Sequence, residues 1–107
     1  MKYELLFSAT AAEDLKEIAC DIYSVSGSKE SALKYIEGIR EECRALELFP
    51  ESGALPKDRI LLSAGYRFVI YKDYLAFYKV DNENRRVIVS TVFNGKRDYS
   101  RYMNKYL

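Results

Sequence analysis

The residues best suited to chemistry gather in the second half of this sequence. In Asn94-Gly-Lys-Arg-Asp-Tyr99, Lys96 and Arg97 stand side by side just past an apolar run. Gly95 permits a turn, so both cations would arrive at the end of a rigid element. A guanidinium holds a phosphate through a planar fork, and an ammonium holds it as a point charge. Seven of the ten tyrosines follow residue 65, in the same half. Phenol rings and guanidinium groups stack on bases. The combination fits a surface that recognises a polyanion or an acidic protein. Residue by residue there is a plainer account: tyrosine is a good strand residue with a wet edge, and a basic turn is often only solvated. Asp98 fits either a salt bridge to a neighbouring arginine or the cap of a tail helix.

Other chemistries lack their residues. The sequence has no histidine, which removes the commonest general base and the commonest zinc ligand. Its two cysteines, Cys20 and Cys43, fall within segments of helical pattern and are expected to be reduced thiols. No metal and no cofactor is expected. No apolar run approaches the ~20 residues of a membrane helix, and the N-terminus lacks the apolar length of a secretory signal. The expectation is a cytoplasmic protein with no membrane partner.

The 107 residues suffice for one domain, 1–107, with a single modest core. Hydrophobic residues make up 49% and charged residues 31%, a globular balance. The net charge of +1 conceals an asymmetry. Residues 1–53 hold six Lys/Arg against eleven Asp/Glu, and residues 54–107 hold eleven against five. A basic half on a near-neutral chain is either a footprint for an anionic partner or one of two solvated faces that offset each other.

The elements that must position these residues follow from periodicity. Residues 2–7 are strand formers, with Tyr3, Leu5 and Phe7 on one side. Thr10-Ala-Ala-Glu13 has the form of a capping box. Behind it Leu15, Ile18, Ala19, Ile22 and Val25 recur at helical spacing, with Glu13, Asp14, Lys16, Glu17 and Asp21 mostly on the other faces. That helix should end near Gly27. A second should start near Ser28, bury Ala32, Ile36, Ile39, Cys43 and Leu46, and stop at Phe49-Pro50. Its outward Glu37, Arg40, Glu41 and Arg44 can pair at four-residue spacing.

Residues 50–65 carry both prolines and two of the five glycines, and predict an irregular connection. The period then changes to two over 66–71, 74–80 and 86–93, with a tight turn at Lys72-Asp73 and a polar loop at Asp81-Asn-Glu-Asn84. Residues 98–107 have the makings of a short last helix. The expected fold is a two-layer α+β domain: an N-terminal strand, a helical hairpin, then a three-stranded antiparallel meander. Alternation separates Phe68, Ile70, Leu75 and Phe77 from Arg67, Tyr71, Tyr74 and Tyr78. The purely apolar set is expected against the helices, and the Arg and Tyr set on the open face.

The order of elements and four segments resemble the RelE/ParE toxin superfamily. The segments are Phe49-Pro-Glu-Ser-Gly53, Gly65-Tyr-Arg-Phe-Val69, Tyr74-Leu-Ala-Phe-Tyr78 and Asn94-Gly-Lys-Arg-Asp-Tyr99. The likeness covers nearly the whole chain. It implies a growth-inhibiting toxin of a bacterial type II toxin–antitoxin system, the kind of pair tied to plasmid stabilisation, held inactive by a cognate antitoxin that wraps around it.

RelE-type members cut mRNA on the ribosome with a Lys/Arg cluster, often helped by a tyrosine or carboxylate near the C-terminus. By position Arg67 and Arg97 would belong to that cluster, and Tyr99 or Tyr102 would stand near the tyrosine. Lys96, Tyr71, Tyr74, Tyr78 and Arg101 would contact the target. Two positions where the cluster expects cations carry Val69 and Leu75, and the histidine used by some members is absent. ParE-type members, which poison DNA gyrase, lack the nuclease cluster in the same way. Within the resemblance, the Arg and Tyr face places RNA-directed toxicity first, with gyrase inhibition close behind and a non-toxic antitoxin-binding module as a third class.

Overall fold

The computed structural model describes residues 2–96. A first strand, Glu4–Phe7 (β1), runs directly into a helix, Ala9–Ser26 (α1). The expected capping box at Thr10 is corrected to Ser8: the strand ends at Phe7, and the Ser8 hydroxyl accepts the Ala11 N–H at 3.1 Å. Gly27, at φ 68°, closes α1, and Ser28 caps the second helix, Lys29–Arg44 (α2). One turn of 3-10 helix, Ala45–Glu47, follows before the chain bends at Pro50. On the outer face of α2, Arg44 pairs with Glu41 and Glu37.

The connection is less irregular than expected. Asp58 accepts the N–H groups of Ile60 and Leu61 and so starts a five-residue helix, Arg59–Ser63 (α3). Periodicity gave no warning of it, since one turn is too short to show any.

Three strands complete the sheet: Arg67–Tyr71 (β2), Tyr74–Asp81 (β3) and Arg86–Asn94 (β4). The sheet order is β1-β4-β3-β2. The meander is antiparallel, and β1 adds parallel to β4 with Glu4 opposite Arg86. Two clusters fill the space on either side. The larger joins Ala11, Leu15 and Ile18 of α1 and Ile39 and Cys43 of α2 to Tyr78, Val87, Val89 and Val92 of the sheet. The smaller lies on the opposite face, where Leu61 of α3 packs on Phe77 and Phe93, with Phe68 and Leu75 beside them.

This division reverses the expected faces. Tyr71, Tyr74 and Tyr78 point toward the helices, and the Phe-rich set faces the other way under α3. The phenol rings have the volume to fill a gap between helix and sheet, and the Tyr78 hydroxyl finds backbone partners at its rim, so polarity did not decide the side. Two further corrections concern α1. Val25, expected in its buried stripe, is 91% exposed at the last turn, while Asp14, expected outside, is buried. The thiols are free, Cys20 exposed and Cys43 buried.

Candidate functional site

The β2–β3 ladder has two ends, and the candidate residues divide between them. Arg67 stands opposite Tyr78 at one end, and Tyr71 opposite Tyr74 at the other. Four residues of strand separate the ends by about 13 Å, at ~3.3 Å per residue.

At the first end the work is structural. Tyr78 is fully buried. Its hydroxyl donates to the Pro50 carbonyl at 2.8 Å and accepts the Gly53 N–H at 3.0 Å. Burial raises its pKa, while the Gly53 bond and the Arg67 charge pull the other way. The Arg67 guanidinium donates to the carbonyls of Glu51 and Gly53 at 3.0 and 3.1 Å. Two more backbone bonds tie Ala54 to Phe68. A Cβ on Gly53 would lie 2.4 Å from the Tyr78 hydroxyl, so only glycine allows this closure. Three of the four segments that carried the resemblance thus meet in one knot that holds residues 50–54 onto the edge of the sheet.

Arg67 was expected beside Arg97 on an open face. It instead shares the helix-facing side with Tyr78, bound to carbonyls, at the end of the ladder away from Asn94. The open-face placement of Arg67 is corrected; Arg97 itself lies outside the described residues.

The second end gathers cations and tyrosines. Tyr74 pairs with Asn94 at the close of β4. The Gly95 N–H donates to the Asp73 carbonyl at 2.7 Å, and the Asn94 side chain accepts the Lys96 N–H at 3.0 Å. The Lys96 ammonium lies 3.3 Å from the Asp73 carboxylate and is otherwise open to solvent. The Lys72 ammonium sits 4.8 Å from the Tyr35 ring centre and 5.7 Å from that of Tyr71. Tyr35 also meets Tyr71 and Tyr74 edge-on at 6.0 and 6.1 Å. A Cβ on Gly38 would lie 2.1 Å from Tyr71, so glycine lets α2 accept that ring. Beside this cluster is a shallow cleft of about 360 Å³, bordered by Asp21, Ser31, Tyr35, Asp73, Tyr74 and Asn94.

Of the sequence-derived candidates, Lys96, Tyr71 and Tyr74 come together here, with Tyr74 buried and Tyr71 half-buried. Tyr78 and Arg67 do not join them. Arg97, Tyr99, Arg101 and Tyr102, like the expected last helix, lie outside the described residues. Lys72 was missed, although its place in a two-residue turn between Tyr71 and Tyr74 puts a cation beside those rings. Asp14 was missed too. Its position three residues after Ala11 and four before Ile18 places it inside the apolar stripe. No cluster of three His, Cys, Asp or Glu able to hold a metal occurs among the described residues. Nor, among them, is any helix long and apolar enough to cross a membrane.

Comparison with solved structures finds this fold repeatedly. The chromosomal ParDE toxin–antitoxin system from P. aeruginosa contains a chain 21% identical, with TM-score 0.72 over 87% of this chain and 96% of that one. A chain of the RelBE2 toxin–antitoxin complex from Mycobacterium tuberculosis is 19% identical, with TM-score 0.61 over 88% and 92%. A mutant of the E. coli toxin RelE in the free state is 18% identical, with TM-score 0.63 over the full length of both chains. These likenesses are of fold. Comparison with curated protein sequences finds no match. The family model for the ParE toxin of the type II toxin–antitoxin system parDE, in contrast, matches residues 5–99. With the strand order and helical hairpin in agreement, the chain belongs to the ParE toxin family, within the RelE/ParE superfamily.

Proposed function

We propose that this toxin arrests growth by binding DNA gyrase, as the ParE-type members it resembles do, and not by cutting mRNA on the ribosome. The observation that carries the reading is the position of Arg67. A ribonuclease of this class needs cations free to meet a phosphate whose charge grows in the transition state. The Arg67 guanidinium is committed to two backbone carbonyls. Val69 and Leu75 stand where further cations would be expected, and Tyr78 is sealed under the helices. Lys72 and Lys96, with Arg97 and Arg101 further along the sequence, suit a protein target held by charge and stacking. Tyr99 and Tyr102 belong to the same contact.

In the cell the toxin is held by a cognate antitoxin. The basic half favours an acidic antitoxin segment, disordered until bound, that buries apolar groups beside the charge. Gyrase acts in the cytoplasm, which is the proposed place of action.

Two purified assays test the reading. The chain should block gyrase supercoiling and leave mRNA on ribosomes uncut. Ribosome-dependent cleavage would overturn it in favour of the RelE-type activity. A chain that arrests nothing when expressed alone would leave only an antitoxin-binding module.

A further inference from the structure

β4 does not run straight. Its register against β3 slips between Phe77 and Tyr78: Tyr78 pairs with Val89 and Phe77 with Thr91, which leaves Ser90 as an extra residue. This is a β-bulge, and it changes the phase of the strand. Val87 and Val89 face the helices, and after the slip Val92 does so again. The slip falls where β1 ends, since the last β1–β4 pair is Phe7 with Val89. Beyond that pair no strand among the described residues bonds this edge of β4, and its backbone groups need other partners.

The start of α1 supplies them. The Ser8 N–H donates to the Val89 carbonyl at 2.9 Å, and the Ser8 hydroxyl donates to the Ser90 carbonyl at 2.9 Å. On the far side of the slip, one oxygen of the Asp14 carboxylate accepts both the Thr91 hydroxyl, at 2.7 Å, and the Val92 N–H, at 3.0 Å. Asp14 and Thr91 are each 7% exposed. A carboxylate in such a place costs free energy to desolvate, and strong hydrogen bonds to it offset that cost. The strand segment it grips leads within a few residues to Asn94, Gly95 and Lys96.

We propose that Asp14 is a positioning residue: by clamping the bulge it sets the course of the end of β4 and so the placement of the basic turn at Lys96. The effect on growth arrest rests on the toxin reading above. The effect on the strand does not. Both bonds reach the same oxygen, so the contacts to Thr91 and Val92 call for an acceptor at that point. An asparagine that places its carbonyl oxygen there keeps both acceptor contacts, whereas alanine keeps neither.

The full-length chain tests this in the variants Asp14→Ala, Asp14→Asn and Thr91→Val. Amide NMR and hydrogen exchange would follow β4, and a growth assay would run below each variant's melting temperature. In Asp14→Ala the Val92 amide should exchange about tenfold faster or more. Resonances from Thr91 to Lys96 should shift while those of Arg86 to Val89 stay in place, and growth arrest should weaken. Asp14→Asn should restore most of both readouts. Should Asp14→Ala fail to fold, Thr91→Val, which removes one donor only, should still shift Thr91 to Lys96 selectively.

Unchanged resonances past the bulge in a folded Asp14→Ala or Thr91→Val overturn the clamp. An Asp14→Asn chain as defective as Asp14→Ala overturns the geometric account in favour of charge. Shifted resonances with undiminished arrest overturn the link from clamp to toxicity. A wild-type chain that arrests nothing, with the resonance pattern as expected, defeats the toxin reading and leaves the clamp standing.

Discussion

Tyr78 and Arg67 stand opposite each other across the β2–β3 ladder and grip the same turn, Pro50 to Gly53, from two directions. Removing the Tyr78 hydroxyl leaves the Gly53 N–H and the Pro50 carbonyl without that partner. Tyr78→Phe should therefore lower stability by about 1–3 kcal/mol in a denaturant melt. Arg67→Lys should keep part of the grip, because both bonds leave one guanidinium nitrogen, Nη1, and a single ammonium nitrogen also carries more than one N–H. A Tyr78→Phe melt identical to wild type would show that the turn holds without the knot.

Gly38 and Tyr71 give a second, local prediction. Alanine at position 38 would place a methyl group inside the Tyr71 ring. Its better helix propensity contributes only ~1 kcal/mol, against overpacking of about 1–3 kcal/mol, so Gly38→Ala should destabilise on balance. Shrinking the ring should recover the loss: in a double-mutant cycle, Gly38→Ala with Tyr71→Leu should come out more stable than the two single effects added together. Simple additivity would place the strain elsewhere.

Alkaline pH should weaken the fold in a definite order. Burial pushes the Cys43 thiol from 9.0 up to about 12, with Glu42 adding to the rise and Arg40 opposing it. From about pH 9 upward the unfolded chain loses a proton that the folded chain keeps, so stability must fall as pH rises. Tyr78, raised by its burial, adds a further loss above its ordinary value of 10.0. Below pH 9 both contributions are fully present. Urea midpoints between pH 8 and 11 would show the decline, and Cys43→Ala should flatten its first part. A midpoint independent of pH up to 10 would contradict the Cys43 shift.

Lys96 separates surface charge from stability. Its pair with Asp73 is exposed, and such pairs contribute little, so Lys96→Ala should move the melt by no more than about 0.5 kcal/mol. Growth arrest should nevertheless weaken, and more so when Arg97→Ala is added, with Arg97→Lys a partial rescue. Full arrest by the Lys96→Ala, Arg97→Ala double variant would remove the basic turn from the contact surface.

Association with the antitoxin should slow as salt is added, because screening at ~0.15 M shortens electrostatic range to roughly 8 Å. Stopped-flow rates across ionic strength would measure it. A flat profile would assign the encounter to apolar contact alone.

Most of the fold was legible in the sequence, and the reasons are local. Ser28 and Gly27 mark the hairpin joint by their own backbone chemistry, and period-two runs announce β2, β3 and β4. What failed depended on partners far away in sequence. Tyr78 looks like a solvent-facing residue until Pro50 and Gly53 are brought to its hydroxyl. Asp14 looks like one more outward acid until Thr91 and Val92 reach it. Arg67 looks open to solvent in the alternation pattern until the Glu51 and Gly53 carbonyls are brought to its guanidinium. The candidate site suffered most, since an isolated alternation pattern fixes which residues share a face but not which face meets the helices.

The parallel pairing of β1 with β4 carries a consequence for the timing of synthesis. Residues 4–7 leave the ribosome well before their ladder partners, residues 86–89. At ~5–20 residues per second the first strand must wait several seconds for the last one. The helical hairpin, built from local contacts, can form during that wait, while the sheet that supports the basic turn closes only at the end. A partner that engages the chain while it emerges would meet the hairpin before the sheet exists, so the newborn chain passes through an interval in which it is recognisable but not yet assembled.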